Sequence, residues 1–359
     1  MASMVIVNNP GDWGTVYAPL LHAEWNGWTP TDLIFPFFLF IVGVAITLSR
    51  KAGHPRSIAV RAAKLVGLGL FLSGFPWFNL TTLRLPGVLQ RIGLCYLAAA
   101  LLYWWLQRGS AGREGPVTDG RHAKIIGGVA AALLLGYWAI IMLVPGASGQ
   151  TGDMTPEGNV GAVLDRAIFG THLWKKTWDP EGLLSTLPAI GTTLLGLLAG
   201  LWLRHSRADG RRLVTGLVVG GLVATVVALA WSTVFPLNKS LWTSSYAVFT
   251  AGLGALLFAF CYATIDLAGW RRWAHPFVVL GTNAIALFVL SGLVARLLGI
   301  IKVTGPDGGQ MSLQSLIYRQ FFVPLASPMN ASLLFALANL AVLYIVLWVM
   351  YRRGIFLKV

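Results

Sequence analysis

Long apolar runs separated by short polar segments dominate the sequence. Nine of these runs approach the length of about 20 residues that a helix needs to cross a bilayer. Because the runs are continuously apolar rather than alternating, they exclude a transmembrane β-barrel. We therefore predict an all-α polytopic transmembrane helix bundle with spans at residues 31–49, 57–77, 86–107, 123–144, 185–203, 212–234, 241–264, 276–299 and 331–351.

Two shorter segments complete the predicted helices. Residues 313–326 (LQSLIYRQFFVPLA) are too short to span, contain Arg319 and end close to a proline, so we expect an interfacial or re-entrant helix. The start of the chain, MASMVIV, is apolar but lacks the basic start and small-residue cleavage site of a signal peptide. We expect it to be the end of a first helix whose beginning is missing.

Composition and charge support the membrane class and give an orientation. Hydrophobic residues make up 56% of the chain, charged residues 11%, and the mean hydropathy is +0.70, whereas soluble domains carry about 25% charged residues. The net charge of +14 is concentrated in one set of loops, as the positive-inside tendency requires, so no nucleic acid is needed to explain it. These predicted cytoplasmic segments are residues 50–56, 108–122, 204–212, 265–275 and 352–359.

The same bias places residues 9–30 and the loop 145–184 on the outer side of the bilayer. We expect one transmembrane domain over residues 1–359. The short loops favour a bacterial inner membrane protein that crosses the lipid bilayer many times and has a cytoplasmic C-terminus.

Residue types with distinctive chemistry are sparse inside the spans. Cys95 and Cys261 lie in apolar runs, where a thiol behaves as a small hydrophobic group. The sequence has no metal-ligand spacing, P-loop or dinucleotide fingerprint, so we expect no metal. Small-residue pairs such as Gly196 and Gly200 leave open helix packing within the chain or a homodimer.

The stretch LLHAEWNGWTPTDLIFPFFLFIVG places His22 directly before the first full span. Thr29 can cap that helix, Pro30 suits its first turn, and Asp32 stands three residues after the cap. The neighbouring tryptophans fit an aromatic belt at the membrane interface. At this level His22 is either a loop histidine or a functional group, and Asp32 is either a capping carboxylate or a functional one.

A second group of polar residues lies at the predicted outer ends of several spans or within them. Each has an ordinary interpretation: arginines can extend to the interface, acids favour helix N-termini, and amides can bond a neighbouring helix. Because most of them share one membrane face, a bundle can also gather them into one pocket with His22 at its edge, which makes them functional candidates. They are Arg84, Gln90, Arg91, Asp179, Glu181, Asn238, Lys239 and Asn283.

Six motifs, taken in chain order, resemble those of a known family. They are VNNPG, LHAEWNGWTPTDLIFPFFLFIVG, RLPGVLQRIG, WDPEGLLSTLPAIG, PLNKSLWTSSY and PFVVLGTNAI. Together they resemble the heparan-α-glucosaminide N-acetyltransferase family and its bacterial relatives over nearly the whole chain. The resemblance implies a transmembrane acetyltransferase that takes acetyl from cytosolic acetyl-CoA and delivers it to a glucosamine amino group on the other side.

The resemblance also implies roles for individual residues. The active-site histidine of the family corresponds to His22, and the asparagine of its VN motif corresponds to Asn8. Asp32 completes the predicted catalytic group. The predicted substrate-binding residues are Trp25, Asn26, Arg84, Arg91, Asp179, Glu181, Asn238 and Lys239.

Acetyl-CoA, the acetyl donor that the resemblance implies, suggests a role for the cationic residues. CoA is multiply anionic, so its phosphates need the cationic inner face while a slender pantetheine arm passes between helices. Positive-inside topology predicts such cations in any case. The predicted cofactor-binding residues are Arg50, Lys51, Arg61, Lys64, Arg204 and Arg207.

Two mechanisms stay open at this level. The imidazole of His22 attacks the thioester to give an acetyl-histidine, or it removes a proton from the sugar amine in a ternary complex. In both, Asn8 would donate to the oxyanion. We expect glucosamine, or an oligosaccharide that carries it, as acceptor. The rival hypothesis is a sugar permease of the same fold without acetyl transfer.

Overall fold

The structure, a computed structural model, describes residues 1–49, 54–109, 116–206, 208–306 and 308–357, with the backbone alone for 116–119. The described residues are predominantly helical, which confirms the predicted all-α polytopic class. The helices are α1 (Ala2–Asn8), α2 (Ile34–Leu48), α3 (Pro55–Gly74), α4 (Val88–Arg108), α5 (Pro116–Leu143), α6 (Val160–Phe169), α7 (Thr186–His205), α8 (Gly210–Trp231), α9 (Ser244–Tyr262), α10 (His275–Thr282), α11 (Ala284–Ile300), α12 (Leu313–Ile317) and α13 (Pro328–Arg352).

Most predicted spans correspond to single long helices. Among the described residues, eight helices are long and apolar enough to cross a membrane, and each matches one predicted span. The ninth predicted span, 276–299, is interrupted, because α10 and α11 are bent by 71° at a break between Thr282 and Ala284. The chain therefore has the helices of a multi-pass membrane protein, with one of the nine predicted spans broken.

The break lies at Asn283, which pairs with the C-terminal segment. This residue leaves helical geometry at φ −124° and ψ 40°, and its side chain is 1% exposed. Its Nδ2 donates to the carbonyl of Ile355 at 3.0 Å, and its Oδ1 accepts the backbone N–H of Leu357 at 2.9 Å. The C-terminal segment thus satisfies the amide that interrupts the helix.

The chain divides into two compact units, which we call the terminal unit and the central unit. The terminal unit comprises Met1–Ala23, Thr29–Ile34 and Trp270–Val359. The central unit comprises Glu24–Trp28 and Phe35–Gly269. The chain thus passes between the units three times within the short stretch that surrounds His22 and the start of α2.

The terminal unit is built around the long helix α13. The short α1 packs on α13 and on the 3-10 turn Pro30–Leu33, and α10 and α11 also contact α13. Buried side chains from these helices form its core: Val5, Val279, Leu280, Leu287, Leu343 and Leu347. An antiparallel hairpin, β1 (Lys302–Thr304) with β2 (Gln310–Ser312), leads into α12.

The segment after the hairpin agrees with the predicted short helix. After α12 the helical path continues as a π turn at Tyr318–Phe322 and a 3-10 turn at Val323–Leu325. Residues 313–326 are therefore helical but short, and their placement at an interface stays a prediction. The first residues of the chain are helical as well, as expected, in α1.

The central unit is an assembly of long helices around α7. Helix α7 contacts α4, α5 and α9, while α3 pairs with α4 and α8 pairs with α9. Glycines set the closest approach: a Cβ on Gly43 would overlap the carbonyl of Thr193, and one on Gly196 would overlap that of Phe40. Gly200 faces Thr47 in the same way. The Gly196 and Gly200 pair therefore packs α7 against α2 within the chain.

Candidate active site

The start of α2 is fixed by a capping box. Thr29 precedes the 3-10 turn Pro30–Leu33, and Asp32 reaches back so that its Oδ2 accepts the backbone N–H of Thr29 at 3.0 Å. Asp32 is 1% exposed. The local prediction for Thr29, Pro30 and Asp32 is confirmed, because these residues build the helix start that their pattern indicates.

The same aspartate also binds His22. Oδ1 of Asp32 lies 2.7 Å from Nδ1 of His22, and Oδ2 also accepts the backbone N–H of Ala23 at 3.0 Å. One carboxylate therefore serves as helix cap and histidine partner. The capping interpretation of Asp32 is confirmed, and its functional role stays a prediction. The backbone N–H of Ala23 anchors the loop directly beside the imidazole.

This pairing sets the chemistry of the imidazole. A carboxylate oxygen only accepts, so Nδ1 is the donor in this contact, and in the neutral imidazole the lone pair of the ring then lies on Nε2. The side chain of His22 is 51% exposed, whereas that of Asp32 is 1% exposed. The arrangement presents a basic, nucleophilic nitrogen on a ring whose orientation a buried carboxylate holds.

Two further bonds brace the loop that carries His22. The hydroxyl of Thr29 donates to the carbonyl of Leu21 at 2.6 Å, and the hydroxyl of Thr31 donates to the carbonyl of Pro19 at 3.1 Å. Together with the bond from the backbone N–H of Ala23, these bonds tie the loop to the helix start on both sides of His22. Such support limits the rotation of the loop and keeps the imidazole near one geometry.

The asparagines at the end of α1 differ in their surroundings. Asn8, predicted as an oxyanion donor, is exposed at the last residue of α1. Asn9 is buried, and its Nδ2 donates to the carbonyl of Val5 at 2.7 Å and to the hydroxyl of Ser291 at 3.0 Å. Asn9, whose structural amide stands beside Asn8 in the motif VNNPG, was not among the predicted residues.

An ionic cluster joins Arg84 to the loop 145–184 of the central unit. Arg84 makes two bonds to Asp179, Nε to Oδ2 at 2.8 Å and Nη2 to Oδ1 at 2.6 Å, and its Nη2 also donates to Glu181. Asp179 accepts the backbone N–H groups of Trp174 and Glu181 as well. Burial opposes the charge of Arg84, but the bond to Asp179 and the two carboxylate charges outweigh it and raise its pKa.

Arg91 is buried rather than extended to the interface. It is 1% exposed, and its Nη2 donates to the carbonyl of Gly182 at 3.0 Å and to the hydroxyl of Ser185. Its guanidinium lies 5.3 Å from the ring centre of Trp242. Among the described residues, Nε and Nη1 of Arg91 have no hydrogen-bond partner. The guanidinium thus fastens the start of α7 to α4.

Asp165 is a buried acid that the sequence analysis missed. It lies on α6, inside the loop 145–184, and its Oδ1 accepts the backbone N–H of Leu183 at 2.8 Å. Burial raises its pKa to about 6, and that hydrogen bond opposes the rise. With Asp179 and Ser185 it lines a cavity of about 20 Å³, which is room for one water molecule at about 10–15 Å³ or more.

Aromatic and amide side chains join the residues after His22 to the rest of the central unit. Nε1 of Trp25 donates to the carbonyl of Met154 at 2.9 Å, and its ring meets that of Trp178 edge to face at 5.3 Å. Nδ2 of Asn238 donates to Oδ1 of Asn26 at 3.1 Å. Lys239 follows in the same turn. The structure thus brings Trp25 and Asn26 against two different segments of the central unit.

The predicted cationic residues have distinct partners. Arg61 lies over the ring of Tyr96 at 4.8 Å, and Nη1 of Arg204 donates to the hydroxyl of Tyr103 at 2.5 Å. Lys64 is exposed on α3. The predicted cofactor-binding residues Arg50, Lys51 and Arg207 lie outside the described residues. The role of these cations in binding CoA stays a prediction.

The predicted groups are distributed over both units. Asn8, His22 and Asp32 belong to the terminal unit, and the predicted substrate-binding and described cofactor-binding residues belong to the central unit. The structure brings His22 to Asp32, Arg84 to Asp179 and Glu181, and Asn26 to Asn238. That all of them share one pocket stays a prediction.

Comparison with known proteins gives one consistent result. A model of the family "Heparan-alpha-glucosaminide N-acetyltransferase, catalytic" matches residues 2–110. Heparan-alpha-glucosaminide N-acetyltransferase from Homo sapiens is 27% identical over 342 residues, which cover 80% of this chain and 50% of the relative. The Mus musculus protein of the same name is 26% identical over 337 residues, with the same coverage.

These matches confirm the resemblance indicated by the six motifs. The chain spans about half the length of the curated relatives it matches. The segment matched by the catalytic family model includes both His22 and Asp32.

Proposed function

We propose that this chain is a membrane acetyltransferase that moves acetyl from acetyl-CoA to the amino group of a glucosamine-type sugar. The pairing of His22 with Asp32 carries the proposal: a half-exposed imidazole held at 2.7 Å by a buried carboxylate. This pair lies in the segment matched by the catalytic family model. The names of both relatives give the reaction type and the sugar.

Two reaction paths use the lone pair of His22 Nε2. In the first, Nε2 bonds to the acetyl carbon while the carbon–sulfur bond breaks and CoA leaves as thiolate. The sugar amine then attacks that carbon, the bond to Nε2 breaks, and the proton of the amine passes to the released Nε2 and from there to the CoA thiolate. In the second, the amine attacks the thioester directly, Nε2 takes its proton, and CoA leaves as thiolate, which is then protonated. Both paths stay open.

Asp32 acts through His22 as a positioning residue. Its carboxylate fixes the imidazole tautomer and stabilises the imidazolium that forms in the second path. We assign Asn8 as a donor to the oxyanion that develops on the thioester carbonyl, since amide N–H groups stabilise such charge. The exposure of Asn8 at the end of α1 supports this role, because a group committed to the protein interior has no donor to offer a substrate.

We assign the binding of the sugar that accepts the acetyl group to the residues that follow His22 and to their partners. The rings of Trp25 and Trp178 offer apolar surface for a sugar face, and Asn26, Asn238 and Lys239 offer hydrogen bonds. Both Asp179 oxygens already accept donors from the protein. Arg84, Arg91 and Asp179 therefore act by shaping the outer loop, and Glu181, beside Arg84, completes the acceptor site.

The orientation completes the proposal. The donor nucleotide stays on the cationic face, which we assign to the cytoplasm of a bacterial cell, together with the C-terminus. The acetyl group is delivered to a sugar on the opposite face. Positive charge in the predicted inner loops and the multi-pass helices support this assignment.

The test follows release of free thiol from acetyl-CoA by purified protein with and without glucosamine. We expect acceptor-dependent release that His22→Ala abolishes. His172→Ala is the matched control, since His172 lies in the outer loop with Nδ1 at 2.8 Å from the carbonyl of Leu83, and it should keep normal activity. Release that survives His22→Ala would overturn the proposal. Acetylated His22 after acetyl-CoA alone would select the first path.

A sugar permease is the second candidate, and one observation favours it. The α10–α11 pair is broken and bent by 71°, and broken helices are common at the substrate sites of transporters. Uptake of labelled glucosamine into sealed vesicles tests this candidate. Uptake without acetyl-CoA and without thiol release would support the permease, and acetylated product would support the enzyme.

A further inference from the structure

A second cavity lies at one end of α4 and α5, far along the chain from His22. Its volume is about 510 Å³. Helix α4 contributes Trp104, Trp105 and Arg108, and α5 contributes Arg121 and the buried His122. The proposed acetyl transfer uses none of these residues.

The cavity has the chemistry of a phosphate site. Arg108 and Arg121 are both exposed, and none of the described side chains that line the cavity is acidic. The guanidinium of Arg108 lies 5.6 Å from the ring centre of Trp104, which orients it toward one side. An arginine fork matches the oxygens of a phosphate ester with two parallel hydrogen bonds.

A lipid-binding site also needs contact with the lipid phase, and the position of the cavity provides it. Helices α4 and α5 are both apolar enough to span a membrane. Trp105 is 61% exposed on the last turns of α4, where an indole ring on a spanning helix meets the headgroup level of the bilayer. The chain that links the two helices is one of the segments that charge predicts to be cytoplasmic.

We infer that this cavity binds the phosphate headgroup of an anionic phospholipid from the cytoplasmic leaflet. Basic pockets between spanning helices on that side hold such headgroups. The inference stands apart from acetyl transfer and does not depend on it. Acetyl-CoA carries phosphate esters too, but the exposed indole of Trp105 beside the cavity favours a ligand that arrives from the lipid phase.

The test measures lipid retention by native mass spectrometry of the full-length protein in detergent, titrated with phosphatidylglycerol or phosphatidylcholine. We expect preference for phosphatidylglycerol. The double variant Arg108→Gln and Arg121→Gln should bind it about 25-fold more weakly, since each basic residue near an anionic surface contributes about fivefold. Unchanged binding in the double variant would overturn the inference.

Arg352→Gln provides the matched control. Arg352 lies 5.5 Å from the ring centre of Trp348, also four residues away on a helix end predicted to be cytoplasmic, but it does not line this cavity. We expect it to retain phosphatidylglycerol as the original chain does. An equal loss in this variant would mean that surface charge alone attracts the lipid, which contradicts a site.

Two further experiments distinguish a lipid ligand from a nucleotide ligand and do not depend on the folding of the variants. CoA added during the titration should leave bound phosphatidylglycerol unchanged, and competition between them would assign the cavity to the nucleotide instead. Photoactivatable phosphatidylglycerol, applied to the unaltered chain, should label the peptides that carry residues 104–109 and 121–125. Labelling confined to other peptides would contradict the inference whatever the variants do.

Discussion

Two buried aspartates, one in each unit, hold a basic side chain in opposite ways. Asp32 holds His22 through one oxygen, and the imidazole remains 51% exposed. Asp179 holds Arg84 through both oxygens. The Arg84 side chain is 26% exposed, and Glu181 also binds it. Both aspartates also accept backbone N–H groups, so both are fixed parts of their surroundings.

The difference shows what each carboxylate contributes. The contact between the carboxylate and Nδ1 orients the imidazole ring, and the proposed reaction uses the other nitrogen, Nε2. A two-point bond to a guanidinium, with a second acid beside it, uses the cation for structure. We therefore expect changes at Asp32 to alter catalysis and changes at Asp179 to alter stability.

The largest expected effect follows Asp32→Asn. An amide in place of the carboxylate weakens control of the His22 tautomer, so we expect kcat for acetyl transfer to fall about 10²–10⁴-fold while the protein stays folded. Asp12→Asn, at an exposed acid whose Oδ1 accepts the N–H of Gly14, should have little effect. Equal activity of the two variants would remove the proposed role of Asp32.

Asp179→Asn tests the other half of the comparison. In either orientation the amide nitrogen would face one nitrogen of Arg84 and one backbone N–H, that of Trp174 or that of Glu181, so Arg84 would lose one of its two bonds to this residue. Breaking a buried ion pair costs about 3 kcal/mol or more of unfolding free energy. We expect a lower thermal unfolding midpoint, with less change in kcat of the folded fraction than Asp32→Asn causes. An unchanged midpoint would contradict a structural role.

Asp165→Asn tests whether a second buried acid of the central unit makes the stability of the fold depend on pH. Because the pKa of Asp165 rises to about 6 in the folded chain, the folded state binds its proton more tightly than the unfolded state. The folded chain therefore loses stability as pH rises from about 4 to about 6, by at most about 3 kcal/mol. The variant lacks this pH-dependent loss of stability. Its thermal unfolding midpoint should therefore rise relative to that of the original chain as pH increases from about 4 to about 6. A constant difference would contradict the raised pKa.

The smallest effect is expected from Thr29→Ala. The hydroxyl that contacts Asp32 and the carbonyl of Leu21 is lost, but the backbone N–H bond to Asp32 remains. Loss of a capping side chain costs about 1 kcal/mol. We expect a small fall in the unfolding midpoint and in kcat. A loss of activity as large as that of Asp32→Asn would mean that the loop, rather than the carboxylate, determines the orientation of the His22 imidazole.

Much of the fold could be predicted because the bilayer imposes a simple rule on sequence. A run such as residues 212–234 has to be a helix of spanning length, and α8 is one. The break at Asn283 could not be predicted, since apolar residues continue on both sides. Its partners, Ile355 and Leu357, stand more than 70 residues away in the chain.

In the candidate site, too, local features could be predicted from the sequence and long-range contacts could not. The cap formed by Thr29 and Asp32 follows from spacing within one helical turn, so sequence predicts it. The bond from Asp32 to His22 requires the chain to fold back over ten residues, and Arg84 meets Asp179 across 95. Only the resemblance pointed to His22 as catalytic, and nothing in local pattern distinguished Asp165 from a surface acid on α6.

The most direct measurement of the central claim is the protonation of the His22 ring, by nitrogen-15 NMR of protein with labelled histidine. The resonances are assigned by their loss in His22→Gln. We predict that, when the imidazole is neutral, Nδ1 carries the proton and Nε2 has the shift of an unprotonated nitrogen, and that Asp32→Asn gives a mixture of the two tautomers. A proton on Nε2 in the unaltered chain, or no change in Asp32→Asn, would contradict the claim that this carboxylate presents a reactive nitrogen.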